Sequence, residues 1–276
     1  MAEAGPFSWR EEGRVFLVDA HCHLQDGHLR YGLDQAMDRA RRAGVGLLFC
    51  NGTAEDDWDY VLSLPVRHSE VLPWLGLHPW FVDEARPGWQ ERLERLLGDG
   101  VCGLGEIGLD RAVEGADVDR QEEAFVAQLR LASKHRLPVS IHCRKAWERL
   151  VALLRAEGGL RYGGIVHSYA GSAEMVPVLE ALGCSISFSC SLTRPNNKRA
   201  RRACRYVSMD RLLVETDSPA IAPEGVERDR NEPENLVLVV RALAQLLNLS
   251  PDDVAGTTAS NANGLLPESC RITIRP

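Results

Sequence analysis

An alternation of short apolar segments with longer segments of helical period runs along the chain of 276 residues and constrains its fold most strongly. Eight apolar segments rich in β-branched residues are predicted as strands, at 14–20, 45–52, 71–79, 101–109, 138–143, 163–171, 184–191 and 211–220. Each precedes a predicted amphipathic helix, at 33–44, within 54–64, and at 88–100, 119–136, 146–158, 172–183, 195–207 and 233–248. Strands that alternate with helices predict a parallel sheet, because parallel neighbours need a crossover connection.

Eight such units in about 250 residues are typical of a closed barrel. We therefore predict an α/β fold, a (β/α)8 TIM barrel with parallel strands and one extra C-terminal helix that begins at Ser250. An open doubly wound sheet is disfavoured, since no Gly-x-Gly-x-x-Gly turn follows the first strand. We expect a single domain over 1–276 with its core at about 15–266, and two small domains are the rival interpretation.

Composition and charge narrow the class of protein. The chain is 45% hydrophobic and 26% charged, enough apolar material for a large core, and its net charge of −7 argues against an overall basic coat for nucleic acid. None of the eight cysteines forms a C-x-x-C pair, so we predict buried, reduced thiols. The first 16 residues lack the apolar region of a signal peptide, and no apolar stretch is long enough to span a membrane. We expect a cytoplasmic protein.

Six side chains that can bind a metal stand at the ends of five predicted strands. They are His21, His23, Glu106, His142, His167 and Asp217. In a parallel barrel the carboxyl ends of the strands meet on one face, so these side chains should converge. Any one of them alone has an ordinary structural explanation, such as a hydrogen-bonded surface histidine. Six on the same rim predict a metal site.

Two ions fit six ligands better than one, since a single zinc ion usually takes three or four protein ligands. We predict that His21, His23 and Asp217 surround one ion, that His142 and His167 surround the other, and that Glu106 bridges them. Imidazole with carboxylate suits Zn²⁺, Mn²⁺, Fe²⁺ or Co²⁺, whereas Mg²⁺, also a candidate, prefers oxygen ligands.

Neighbouring residues are expected to support the ligands. By strand alternation Asp19 and Glu215 share the inward face of His21 and Asp217 and are candidates to orient them. A buried carboxylate satisfied by backbone groups or by an ion pair is the alternative for Glu215. Cys143 should point away from the site and serve packing.

An ordered set of short motifs then indicates a family. The motifs are VDAHCHL, GLHPW, GLGEIGLD, SIHCRKAW, VHSYAGS, VETDSPAIAP, RNEPENL and TTASNANGLL. Together they resemble the successive motifs of the TatD family of metal-dependent hydrolases, in order, from about residue 15 to 266. The chain departs from the family pattern at Tyr169, Ala220, Gly264 and Leu266, none of which is a predicted metal ligand.

The resemblance implies a TIM barrel, a divalent-metal centre and the deoxyribonuclease or 3′–5′ exonuclease activity of characterised members. The six predicted ligands fall on the family's metal-binding positions. Related amidohydrolases often bridge their metals with a carboxylated lysine, but here no lysine precedes Lys134 and Glu106 stands at the bridging position. This favours a phosphoesterase over an amide hydrolase of the dihydroorotase or urease type.

The expected reaction is hydrolysis of a phosphodiester by a water that two metal ions activate. Asp217 is the expected proton acceptor, and His78 is expected to hold a phosphate oxygen or to protonate the leaving group. Arg144 and Arg230 are candidate phosphate clamps, with surface ion pairs as the alternative. The basic segment 193–202 is interpreted either as an edge of the substrate site or as a solvated helix face.

Single-stranded DNA or another phosphodiester is the expected substrate, and a monomer without membrane contact is the expected state. The alternative function is a metal-dependent ester or amide hydrolase, for example one that acts like an aminoacyl-tRNA deacylase, with the same binuclear centre. A non-catalytic barrel would have lost ligands, whereas all six positions are kept.

Overall fold

The computed structural model describes residues 16–98, 100–227 and 230–272. The predicted absence of a signal peptide falls on residues 1–15, outside these ranges, as do the predicted start of the first strand at residue 14 and the ends of the predicted domain. Among the described residues, no helix combines the length and the apolar character needed to cross a bilayer.

Eight parallel strands in the described residues form one sheet in sequence order. They are β1 (Leu17–Cys22), β2 (Val45–Asn51), β3 (Val71–Leu75), β4 (Gly103–Asp110), β5 (Val139–Arg144), β6 (Gly164–Val166), β7 (Cys184–Phe188) and β8 (Leu212–Val214). The backbone N–H of Asp217 donates to His21 O at 3.0 Å and that of His23 to Ser218 O at 2.8 Å, so the segment after β8 pairs with the end of β1. The predicted TIM barrel is confirmed.

In the described residues helices connect successive strands, and the last two follow β8. They are α1 (Gly27–Arg30), α2 (Leu33–Arg42), α3 (Trp58–Ser63), α4 (Trp89–Leu96), α5 (Val118–His135), α6 (Trp147–Ala156), α7 (Val176–Glu180), α8 (Lys198–Ala203), α9 (Leu236–Leu247) and α10 (Pro251–Leu265). Ser250 Oγ accepts a hydrogen bond from the backbone N–H of Asp253 at 3.1 Å and caps α10, with proline in the first turn. The predicted extra helix is therefore present.

Four strands, β3, β6, β7 and β8, end three or more residues before their predicted ends. β6 ends at Val166 and β8 at Val214, so His167 and Asp217 lie just beyond the strands rather than within them. Ser168 with φ +43° and Asp217 with φ +52° occupy the left-handed region, which extended backbone excludes. These two positive φ angles therefore end the extended backbone beside His167 and at Asp217, two of the predicted ligands. Strained backbone of this kind is common at functional sites.

The apolar core has two parts. The larger cluster lies between the strands and the surrounding helices and includes Leu48, Ile141 and Val214. The smaller cluster joins β2 and β6 through Phe49 and Ile165, so it lies inside the barrel, and α10 adds small residues such as Ala259. Burial of apolar surface on both faces of a parallel sheet explains why its strands read as continuous apolar runs.

The cysteines differ in part from the prediction. Cys102 and Cys270 form a disulfide with their Cα atoms 5.9 Å apart, which joins the residue before β4 to the C-terminal segment. The prediction of a reduced thiol is therefore wrong for these two. The other six are free and buried, and Cys143 lies in the larger cluster, away from the site as expected.

Candidate metal centre

The carboxyl ends of the strands form a rim, which we call the carboxyl rim, and Glu106 of β4 lies at its centre. The glutamate is 3% exposed. Its Oε2 lies 3.3 Å from His21 Nε2 and 3.2 Å from His23 Nε2. Asp217 completes this side, with Oδ1 at 3.7 Å from His23 Nε2. Ligand atoms of His21, His23 and Asp217 lie within 4.8 Å of one another, close enough to share one ion.

The other oxygen of Glu106 faces three more imidazoles. Oε1 lies 2.7 Å from His167 Nε2, 2.9 Å from His142 Nδ1 and 3.1 Å from His78 Nε2. The barrel thus brings together all six predicted ligands, together with His78. Gly76 permits the segment after β3 to lie close to the backbone of Glu106, because a Cβ at that position would lie 2.7 Å from the carbonyl oxygen of Glu106.

In four histidines, the ring nitrogen that points away from Glu106, which we call the outward nitrogen, lies near an atom that accepts or can accept a hydrogen bond. The pairs are His23 Nδ1 with Asn51 O at 2.9 Å, His21 Nδ1 with Ser140 Oγ at 2.8 Å, His142 Nε2 with Asp110 Oδ2 at 3.1 Å and His167 Nδ1 with Glu215 Oε1 at 3.4 Å. A backbone carbonyl and a carboxylate only accept, so His23 Nδ1 and His142 Nε2 carry hydrogens. Beside Glu106 without metal the pKa of both rings is raised, and metal binding requires their neutral form. In that form the inward nitrogens present lone pairs, the arrangement found in metal-ligating histidines.

His78 is oriented in the opposite way. The backbone N–H of Trp80 donates to His78 Nδ1 at 3.1 Å, so the hydrogen of the neutral ring lies on Nε2, towards Glu106. Burial, opposed by the charge of Glu106, lowers the pKa of His78 to about 4. His78 is therefore a neutral hydrogen-bond donor towards Glu106 at neutral pH, which separates it from His23 and His142, whose hydrogens lie on the opposite nitrogen.

The donor set fits divalent cations better than it fits a hydrogen-bonded cluster. His21 Nε2 and His23 Nε2 face each other at 3.1 Å, although at most one hydrogen can lie between them. Glu106 Oε1 faces three nitrogens with two lone pairs. Burial raises the pKa of Glu106, but the imidazole charges and hydrogen bonds outweigh it and hold that pKa well below its usual value. Cations among these atoms would satisfy the lone pairs and the carboxylate charge together.

Asp217 is a buried carboxylate at the edge of the cluster. Burial, opposed by the charges of His167 and His23, raises the pKa of Asp217 to about 6. The side chain is 5% exposed and lies beside the imidazoles of β1.

The two residues predicted to orient ligands have different roles. Glu215 lies 3.4 Å from His167 Nδ1 and accepts a hydrogen bond from the backbone N–H of Ser168 at 2.6 Å. Asp19 instead binds Thr216, accepting from its backbone N–H at 2.9 Å and from its hydroxyl at 2.5 Å. Asp19 thus fixes the backbone where β1 meets the segment after β8, and it does so away from the imidazole rings.

Asp110 is a site residue that sequence reasoning missed. It ends β4 and is 0% exposed, and its Oδ2 accepts hydrogen bonds from His142 Nε2 at 3.1 Å and from Trp80 Nε1 at 2.8 Å. Although burial raises the pKa of Asp110, those two hydrogen bonds hold it below its usual value. Its place at the end of GLGEIGLD, a strand that already carries Glu106, was the available signal.

The two predicted phosphate clamps differ in position. Arg144, which ends β5, reaches Asp110 Oδ2 with Nη1 at 3.3 Å and keeps its side chain 54% exposed at the carboxyl rim. Arg230 pairs with Glu227 at 3.2 Å on the surface, with both side chains about four-fifths exposed. Within the described residues, no contact joins Arg230 to the centre. In the basic segment 193–202, Arg194 donates to Ala222 O at 2.6 Å and Arg201 to Leu192 O at 3.0 Å, so both stabilise loops.

A parallel barrel with imidazoles and carboxylates gathered at the carboxyl rim defines the class of metal-dependent hydrolases. The sequence model of one family, TatD related DNase, matches residues 18–267, and the chain belongs to that family. The predicted family is confirmed, and the protein is a metal-dependent hydrolase of the TatD type.

Three relatives illustrate the similarity. The chain is 33% identical to YcfH of Escherichia coli K12, an uncharacterised metal-dependent hydrolase, with 90% of this chain and 94% of that protein covered. It is 29% identical to human deoxyribonuclease TATDN3, with 92% and 96% covered. The crystal structure of YjjV, a TatD homologue from Escherichia coli K12, superposes with a TM-score of 0.87 at 28% identity, covering 91% of this chain and 97% of that chain.

Proposed function

We propose that the protein is a phosphodiesterase that uses two divalent ions, most closely a deoxyribonuclease that removes nucleotides from single-stranded DNA ends in the 3′–5′ direction. The observation that carries the proposal is the position of Glu106, whose two oxygens each face a separate group of imidazole nitrogens. A carboxylate shared in this way is suited to bridge a metal pair. The name of the human relative, a deoxyribonuclease, supports DNA as the substrate class.

The residues divide between two ions. His21, His23 and Asp217 would hold the first, His142 and His167 the second, and Glu106 both. When bound, such ions acidify water and neutralise charge on a phosphate group. Asp217 would take the proton from the attacking water, since its carboxylate lies at the edge of the cluster beside His23.

Two further residues would act on the phosphate. His78 keeps its hydrogen on Nε2, so we propose that it donates this hydrogen to a phosphate oxygen rather than acting as a charged acid. Arg144 would hold a second phosphate oxygen from the rim. Arg230 as a phosphate clamp, the cytoplasmic location and the monomeric state stay predictions from the sequence.

A substrate panel tests the function. Metal-free protein reloaded with Mn²⁺, Zn²⁺, Co²⁺, Fe²⁺ or Mg²⁺ is assayed on single-stranded DNA, duplex DNA, a lactone and an aminoacyl-tRNA. We expect shortening of single-stranded DNA from its 3′ end only after metal addition, because the bound ions are the proposed source of the activated water. Metal content of each sample is measured in parallel by mass spectrometry.

Two outcomes would contradict the proposal. DNA hydrolysis at full rate by the metal-free sample would exclude the metal centre as the source of the nucleophile. Hydrolysis of the lactone or the aminoacyl ester with no DNA cleavage under any metal would instead support the alternative, a metal-dependent ester or amide hydrolase.

A further inference from the structure

Trp80 is a half-exposed tryptophan beside the proposed metal centre. It follows β3 at the carboxyl rim and is 51% exposed, whereas Trp58 and Trp74 are 0% exposed. Its ring packs edge to face on the imidazole of His78, with centroids 4.9 Å apart, and lies 6.2 Å from that of His142. A large aromatic surface is thus presented to solvent next to the reaction site.

Two hydrogen bonds fix Trp80, one from its side chain and one from its backbone. Its Nε1 donates to the buried carboxylate of Asp110 at 2.8 Å, and its backbone N–H donates to His78 Nδ1 at 3.1 Å. An aromatic ring fixed in this way loses little conformational entropy when a flat group packs on it. Packing of the barrel core does not require half of this ring to face solvent.

A positive charge shares the same anchor. Arg144 Nη1 lies 3.3 Å from Asp110 Oδ2, the oxygen that accepts from the indole, and its guanidinium is half exposed. An aromatic face next to a cation is the combination with which proteins bind single-stranded nucleic acid, the base on the ring and the phosphate on the cation.

We propose that Trp80 is a substrate-binding residue that stacks on the base of the unpaired terminal nucleotide adjoining the scissile phosphate, while Arg144 contacts that nucleotide's phosphate. This inference rests on the proposed phosphodiesterase function. A paired base inside a duplex has both faces covered by its neighbours, so the subsite selects frayed or single-stranded ends.

The test compares two oligonucleotides that differ only in the terminal base. One is a single strand with a normal 3′-terminal nucleotide, and the other carries a tetrahydrofuran abasic residue there. For the wild-type holoenzyme we expect kcat/KM to be about tenfold higher on the first, the usual scale of one stacked base. For Trp80→Ala this ratio should fall to about one, whereas a purely structural role would lower kcat/KM on both substrates equally and keep the ratio.

Two control variants accompany Trp80→Ala. Trp80→Phe keeps an aromatic face without the Nε1 hydrogen bond and should retain most of the ratio, even if Trp80→Ala folds poorly. Tyr206→Ala removes an aromatic side chain that is 54% exposed and lies between α8 and β8, in the segment that leads into the amino end of a strand. It should leave the ratio unchanged.

A binding measurement separates failure of this inference from failure of the proposed function. An oligonucleotide with 3′-terminal 2-aminopurine behind a phosphorothioate linkage, which keeps the negative charge and slows cleavage, is titrated with the holoenzyme. Stacking on the indole should quench its fluorescence with wild-type protein and with Tyr206→Ala, but not with Trp80→Ala. Quenching without cleavage of any DNA would overturn the function and keep the subsite. An unchanged kinetic ratio in Trp80→Ala, or the absence of quenching with the wild type, would overturn the subsite.

Discussion

At the scale of single residues, Glu106 and His78 touch each other but differ in chemistry. Glu106 is an anion that five imidazoles surround, and His78 is one of those five, with an outward nitrogen that accepts a hydrogen bond from a backbone N–H. The difference arises from one backbone N–H, that of Trp80, because it dictates where the hydrogen of the neutral ring resides. Glu106 should therefore bind metal, and His78 should not.

The first prediction concerns these two side chains. Glu106→Gln keeps the shape of the side chain and removes its charge, so bound metal should fall from about two ions per chain to less than one, and kcat/KM by about 1,000-fold. His78→Gln should keep both ions and lower kcat by about 100-fold, the usual effect of losing one hydrogen-bond donor to the transition state. Metal content by mass spectrometry and steady-state kinetics give both values.

Full metal content in Glu106→Gln would contradict the bridging role. Metal loss in His78→Gln would mean that His78 is a ligand and that the hydrogen-bond argument is wrong.

At the scale of elements, helix α5 positions the loop that carries His78 and the end of β4 at Asp110. Gln128 accepts a hydrogen bond from the backbone N–H of Leu77 at 2.7 Å and donates to its carbonyl at 3.1 Å. Nearer the start of α5, Gln121 accepts a hydrogen bond from the backbone N–H of Asp110 at 2.9 Å. Both glutamines are buried, so their side chains supply hydrogen-bond partners to buried backbone groups of Leu77 and Asp110.

The prediction at this scale is that Gln128→Leu destabilises the protein and impairs catalysis together. It leaves the N–H and the carbonyl of Leu77 buried without partners, so the free energy of unfolding should fall by about 2 kcal/mol. Because Leu77 precedes His78, kcat should fall while both ions stay bound. Urea denaturation and metal analysis measure these changes.

Arg130→Ala on the same helix is the matched control. Its guanidinium pairs with Glu157 on the surface, where solvent screens ion pairs, and we expect no measurable change. An equal loss of stability in both variants would contradict the role of Gln128 in satisfying the Leu77 backbone, because neither substitution lowers helix propensity.

At the scale of the whole molecule, the proposed centre would take its ligands from residues as far as 196 positions apart, from His21 to Asp217, and from five segments of the barrel. The same region closes the barrel, since Asp217 N–H donates to His21 O and Asp19 binds Thr216. Ions held there would link the first and last strands, so metal binding and barrel stability should be coupled.

The prediction is that metal raises the melting temperature. At a free ion concentration of about 100 times Kd, linkage supplies about 2.7 kcal/mol, which corresponds to a rise of about 5–10 °C for a chain of this size. Differential scanning calorimetry of metal-free and Mn²⁺-loaded protein measures the shift. Glu106→Gln should show little of it, and the same rise in that variant would place the stabilising ion elsewhere.

Much of this protein could be predicted from the sequence by itself. The alternation of short apolar segments with segments of helical period predicted the barrel, since parallel strands require crossovers and crossovers bring all carboxyl ends to one face. Local order along the chain therefore predicted that His21, Glu106, His142, His167 and Asp217 would meet. That they do meet follows from connectivity alone.

Only the tertiary structure decided which nitrogen of each imidazole faces inward, that Trp80 and Arg144 share Asp110, and that Cys102 pairs with Cys270. These features depend on contacts between side chains distant in sequence, and on backbone groups such as the N–H of Trp80. Periodicity describes the face on which a side chain lies. It carries no information about the rotation of a ring or the partner across the barrel, because packing in three dimensions selects both.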